Sequence, residues 1–235
     1  MQINTDRVKN YKITSAIKPS LLKYSCEFRA LATLRYLFPN KFETLKHADK
    51  PDLQDLINGV GIEVVNAVSE KDMEVNRLLS NMCDNKNISS EQINRLKKGI
   101  KACGYDLNDE RGLISKTGTG DGDKFVFQES IRKKINKLPI YISEFDKIGL
   151  AVVLSDIYSS CLEKECIELI DAEFIKANRS FDFVYVISNR FCCFYDTHKN
   201  KFINKYISKV DSESLRKIAR MTAEGKLSLS DFEWQ

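Results

Sequence analysis

Histidine is scarce: His47 and His198 are the only two in 235 residues, alongside one tryptophan and four prolines. Chemistry that needs several imidazoles is excluded, and acid–base or metal work falls to the 33 carboxylates. Cysteine is present, but the seven residues include no C-x-x-C pair and their count is odd. That argues against a disulfide framework and a Cys-based structural zinc site. The thiols read instead as small buried groups in a reducing compartment. No apolar run reaches the ~18–20 residues of a bilayer span. The first twenty residues lack the apolar stretch of a secretory signal, so a cytoplasmic protein without a membrane segment is expected. No internal repeat or low-complexity tract stands out.

What is present suffices for a core. The chain is 43% apolar and 30% charged, and its length suits one α/β domain over 1–235. The formal net charge of +4 conceals an asymmetry. Residues 86–137 hold twelve Lys/Arg against seven Asp/Glu, whereas 140–196 hold five against ten. A basic middle can attract phosphate backbones, and the acidic stretch is expected on the back of the sheet.

The hydrophobic pattern divides the chain. Residues 1–18 are polar and read as an arm. Residues 20–38 have helical period, closed by Pro39, with an inner stripe of Glu27, Leu31, Leu34 and Phe38. Arg29, Thr33 and Tyr36 fall on another face, and an acid on the apolar stripe is unusual. Residues 67–82 look helical. A second helix over 89–101 opens on the capping-box pattern Ser89…Gln92. A Gly-rich loop spans 115–123, with Gly118, Gly120 and Gly122, and 85–125 reads as a helical insertion. A basic helix over 127–138 stops at Pro139. Then follow a strand over 150–158, a helix with the stripe Leu162, Cys166, Leu169, Ile170 and Phe174, and strands at 181–188, 191–196 and 201–207. A last helix carries Leu215, Ile218, Ala219 and Thr222 and stops at Gly225. Cys192-Cys193 in a strand should place one thiol in the core. Phe232 and Trp234 suggest a docking tail, and the aromatic hairpin from Phe181 to Tyr195 suggests core or a dimer face.

Asn58-Gly59 is a strong hairpin signal between runs at 51–56 and 60–65. A two-residue turn would pair Ile57 with Val60, Gln54 with Glu63 and Asp52 with Val65. Asp52, Gln54, Glu63 and Val65 then share one face, and Leu53, Ile62 and Val64 the other. Two carboxylates this close would be relieved by a divalent cation, which Mg²⁺ chemistry supplies with carboxylates, water and phosphate oxygens.

These residues carry a resemblance. Pro51-Asp52 followed by Gly61-Ile62-Glu63-Val64-Val65 resembles the PD-(D/E)xK, or restriction-endonuclease-like, nuclease superfamily. The resemblance implies a mixed central sheet flanked by helices. It also implies Mg²⁺ or Mn²⁺ held by Asp52 and Glu63, with the Val64 carbonyl assisting, and a helix acid at Glu27 that ligates a second metal or orients water. The family lysine should stand at Val65, which can neither donate a hydrogen bond nor carry charge. Lys134 is the leading substitute, because it edges the face formed by Ile131, Ile135 and Leu138; Lys71 and Lys50 follow. The expected activity is phosphodiester hydrolysis in nucleic acid, DNA before RNA, with Lys134 stabilising the transition state. Gln54, Lys97, Lys98, Lys101, Arg132 and Lys133 are candidate substrate contacts, and Arg95 and Lys137 add to the basic field. The alternative is an inactive module of the same kind that binds nucleic acid, a second copy or a protein partner.

Overall fold

The computed structural model describes Val8, Tyr11 and residues 17–84, 88–108, 113–116, 121–141, 144–154 and 163–232. Helix α1 (Pro19–Leu37) and the short α2 (Pro39–Phe42) lead into β1 (Lys46–His47), β2 (Leu53–Asp55) and β3 (Val60–Ala67). Next come α3 (Glu70–Asp84), α4 (Ser90–Ala102), β4 (Tyr105–Asn108), β5 (Leu113–Lys116) and α5 (Asp121–Ile135). The chain then forms β6 (Lys147–Leu154), α6 (Glu163–Ala177), β7 (Phe183–Ile187), β8 (Phe191–Asp196), β9 (Lys201–Tyr206) and α7 (Lys209–Ala223).

Seven strands form one mixed sheet in the order β1-β2-β3-β6-β7-β8-β9. β3, β6 and β7 are parallel neighbours, and the outer pairs are antiparallel. The α/β class and flanked mixed sheet expected from the sequence are therefore present. β6 is apolar almost throughout because both of its faces are covered. One face packs on α1 and α7 through Leu31, Leu34, Ile62, Val64, Ala151, Val153, Leu215 and Ile218. The other packs on α5 and α6 through Phe127, Ile131, Ile135, Leu150, Val152, Cys166 and Ile170.

This layering corrects several readings. Thr33 and Tyr36, on another face of α1 than the buried Glu27, Leu31 and Leu34, are buried too, because α7 packs against α1; Phe38 is half-buried. Cys192 and Cys193 are both buried, one in each core. The acidic stretch does not form the back of the sheet: α6 lies beside the basic α5. The run at 67–82 begins as strand, and α3 starts only at Glu70, where Ser69 and Asp72 bond each other's backbone N–H at 3.0 and 3.3 Å. The insertion holds an unforeseen hairpin, β4–β5, beside the expected α4, and Ser89 and Gln92 cap α4 reciprocally. Val75, Leu78, Ile100 and Tyr105 give α3, α4 and β4 a small core of their own. The loop read at 115–123 is strand to Lys116 and helix from Asp121; Gly118 and Gly120 lie outside the described residues, as do Trp234 and the arm apart from Val8, Tyr11, Ile17 and Lys18. Phe232 is buried against the α1 core.

Gly149, the third residue of β6, lies under the Phe183 ring, which a Cβ would strike. Gly149→Ala should lower unfolding free energy by about 1–3 kcal/mol, the usual cost of overpacking, measured by urea denaturation.

Candidate active site

The hairpin is closed by a carboxylate rather than by a two-residue turn. Asp55 Oδ1 accepts the backbone N–H groups of Ile57 and Asn58 at 3.2 and 3.1 Å, and Oδ2 accepts Asn58 Nδ2 at 2.8 Å. The Asp55 carboxylate thus holds the middle of the 56–59 connection, in which Gly59 has φ +61°. Leu53 therefore pairs with Ile62 and Gln54 with Gly61, a register two residues from the expected one. A two-residue shift preserves the faces. Continuing that register by one position sets Asp52 across from Glu63, in place of Val65.

Asp52 and Glu63 are 5% and 3% exposed, and burying two acids requires compensation. Lys134 on α5 supplies it. Its Nζ lies 3.2 Å from Asp52 Oδ2 and donates a hydrogen bond to Glu63 Oε2. The Val64 N–H donates to Asp52 Oδ2 at 2.8 Å, and the Tyr141 hydroxyl hydrogen-bonds Glu63. Burial pushes both acids up. For Asp52, Lys134 and the Val64 N–H outweigh burial and hold the pKa below its ordinary value. For Glu63, burial outweighs Lys134, and with the nearby Asp52 charge it leaves the pKa raised. Tyr141 is pushed up first by its own burial and then by its bond to Glu63.

Glu27, 3% exposed, stands beside this pair. Its Oε2 is 2.6 Å from His47 Nε2. Its buried Oε1 makes no hydrogen bond, although the Lys23 ammonium lies 3.3 Å away. Lys23 also reaches Asp52 Oδ1 at 3.7 Å, so two ammonium groups flank Asp52. His47, in β1 and packed on Phe28, was missed by sequence reasoning: it is isolated in sequence and only strand pairing brings it to α1. Lys23 carried a signal in its i,i+4 spacing to Glu27.

The other candidates are distributed differently. Gln54 donates to the carbonyls of Asp49 and Pro51 at 3.1 and 3.3 Å, bracing the turn before β2. Arg132 donates twice to the buried Glu173, at 2.8 and 3.1 Å, and so ties α5 to α6. Lys133 pairs with Glu129 at 3.0 Å. Both line a cavity of about 600 Å³ with Val65, Ser69, Lys71 and Gly104. Lys98 and Lys101 are exposed on α4, and Lys97 is half-buried. Lys50 is exposed in the turn before the cis Pro51.

No protein-family model, curated protein or solved structure matches the chain. Among the described residues, no helix is long and apolar enough to cross a membrane. Nor do three or more His, Cys, Asp or Glu side chains there group closely enough to hold a metal ion alone.

The opposed shifts set a pH test. An acid with a raised folded pKa contributes stability at low pH and loses it as pH rises through the folded pKa. Glu63→Gln removes that loss. In chelator, its melting temperature relative to wild type should therefore rise as pH climbs through and above the ordinary carboxylate range. Asp52 contributes in the opposite sense, so the relative stability of Asp52→Asn should fall over the carboxylate range as pH rises.

Proposed function

We propose that the chain is a Mg²⁺- or Mn²⁺-dependent nuclease of the PD-(D/E)xK kind, acting on DNA in preference to RNA. The observation that carries this reading is the contact of Lys134 Nζ with both Asp52 and Glu63. The ammonium that the motif lacks at Val65 is supplied from α5. The chain order supports it too: a helix bearing a buried Glu, a hairpin bearing Asp and Glu, and then a sheet covered on both faces.

The donor set suits a hard divalent cation, which favours oxygen ligands. Asp52, Glu63 and the Val64 carbonyl would hold it, and Glu27 Oε1 is a buried oxygen lacking a hydrogen bond beside them. With fewer than three clustered side-chain ligands, water and substrate oxygens would complete the shell. Such an ion lowers the pKa of a bound water and draws off charge developing on phosphate. Lys134 adds fixed positive charge at the same point. Asp52 stays anionic, whereas Glu63 is the member of the pair that takes a proton first as pH falls. His47 fixes Glu27. Lys133, with Lys97, Lys98 and Lys101, contributes sequence-tolerant phosphate attraction.

The second reading is a non-catalytic nucleic-acid or protein-binding module. It draws on the same Lys134 contact, which already neutralises much of the buried charge without a metal.

With Mg²⁺ or Mn²⁺, purified protein should cleave plasmid or single-stranded DNA, and chelator should abolish the reaction. Asp52→Asn, Glu63→Gln and Lys134→Met should each slow it by about a hundredfold or more, as loss of one transition-state stabiliser does. Lys71→Met should not. Absence of cleavage by wild type, or equal cleavage by the Asp52 and Glu63 variants, would overturn the assignment. Calorimetry that finds nucleic-acid binding without metal binding would favour the module.

A further inference from the structure

The α5 side of the sheet is not covered evenly. Glu63, Val65 and Ala67 alternate along β3 on that side. Glu63 and Ala67 are buried, but Val65 between them is only half-buried. Val65 opens onto a cavity of about 600 Å³, walled also by Val68, Ser69, Met73, Val126 and Ser130. On α5, Val126, Ser130 and Lys134 follow at intervals of four and form one stripe. The cavity therefore begins one step from the acid pair on both elements: next to Glu63 on its face of β3, and one turn before Lys134 on α5. A polymer lying across Asp52, Glu63 and Lys134 would meet it directly.

The chemistry of this cavity differs from that of the charged centre. Lys71 and Lys133 line it together with Glu70 and Glu129, and Lys133 is already paired with Glu129 at 3.0 Å. The lining carries no net charge, so it does not favour a phosphate. Its walls are apolar at Val65, Val68, Met73 and Val126. Two hydroxyls interrupt them. Ser130 Oγ donates to the Val126 carbonyl at 2.7 Å and keeps its oxygen as an acceptor. Ser69 Oγ accepts the Asp72 N–H at 3.0 Å and keeps its O–H to donate. Apolar walls with a few polar groups, within roughly 300–1,000 Å³, are the usual make-up of a small-ligand pocket. A nucleobase suits it, being flat, uncharged and edged with donors and acceptors. A base paired inside a duplex cannot enter such a pocket without leaving the stack.

We propose that this cavity receives the base of an unpaired nucleotide next to the scissile phosphate, so that the substrate is single-stranded DNA and not an intact duplex. The proposal rests on the nuclease reading for the position of that phosphate, and it names the form of the strand. It also gives Val65 a role. With the ammonium supplied from α5, position 65 is left to a short apolar wall, where a lysine would occupy the cavity.

The test measures binding by the full wild-type chain in chelator, so that it does not depend on cleavage. Fluorescence anisotropy compares a thymidine octamer with an abasic deoxyribose-phosphate octamer, which has the same charge and no bases. The thymidine strand should bind about tenfold more tightly or better, the effect of one base contact. Val65→Phe fills the cavity. It should erase that preference and leave affinity for the abasic strand unchanged, which a folding defect would not do. A second readout needs no variant. Cys103 lines the cavity and is half-buried. Saturating thymidine octamer should slow its alkylation by iodoacetamide, followed at that residue by mass spectrometry, whereas the abasic strand and a blunt duplex should not. Equal or undetectable binding of the two single strands by wild type, or equal protection of Cys103 by the duplex, would overturn the proposal. Base preference without metal-dependent cleavage upholds the cavity and defeats the nuclease reading; cleavage without base preference does the reverse.

Discussion

Two buried carboxylates on adjacent strands repel each other unless a cation or a proton accompanies them. Asp52 and Glu63 are nearly inaccessible, and their repulsion in a poorly screened setting would open the hairpin. The Lys134 ammonium is the compensation, and it constrains much else. It fixes the rotation of α5 over β3, since Ile131 and Ile135 must face the core while Lys134 faces the acids. It also gives the hairpin a register that brings Asp52 level with Glu63, and it draws Tyr141, just past α5, onto Glu63. Packing and charge pairing specify the same arrangement.

Much of that arrangement was legible in the sequence, for physical reasons. Face assignment depends only on alternation, so Asp52 and Glu63 could be grouped even though the turn was misread by two residues. Lys134 was recognisable by its neighbours, because a lysine bordering Ile131, Ile135 and Leu138 must lie at the rim of a buried face. Glu27 stood out as an acid on an apolar stripe. The true register was hidden because Asp55, not the Asn-Gly pair alone, organises the turn, and side-chain bonds to backbone leave no periodic trace. His47 was illegible because strand pairing alone brings it to Glu27. The burial of Thr33, Tyr36 and both vicinal cysteines required knowing that helices cover each face of the sheet.

The two faces carry contrasting electrostatics around one strand. On the α5 side, β3 presents an acid satisfied by lysine. At its far end on the α1 side, it borders a cavity rich in guanidinium. α1 serves both, because Glu27 and Arg29 are two residues apart and project in different directions. Cys26 lies between them, buried, with its thiol pushed up to about 12 chiefly by burial. It is a packing group between two polar centres and not a nucleophile.

The insertion has a consequence for how the molecule assembles. α3, α4, β4 and β5 are spliced between the strand bearing Glu63 and the helix bearing Lys134, which leaves the two groups 71 residues apart in sequence. Closing so long a loop costs chain entropy before the contact returns anything. The cluster of Val75, Leu78, Ile100 and Tyr105 within the insertion draws the interior of that loop together and so shortens its effective length. The small satellite core thus acts as a staple between the two halves of the charged centre.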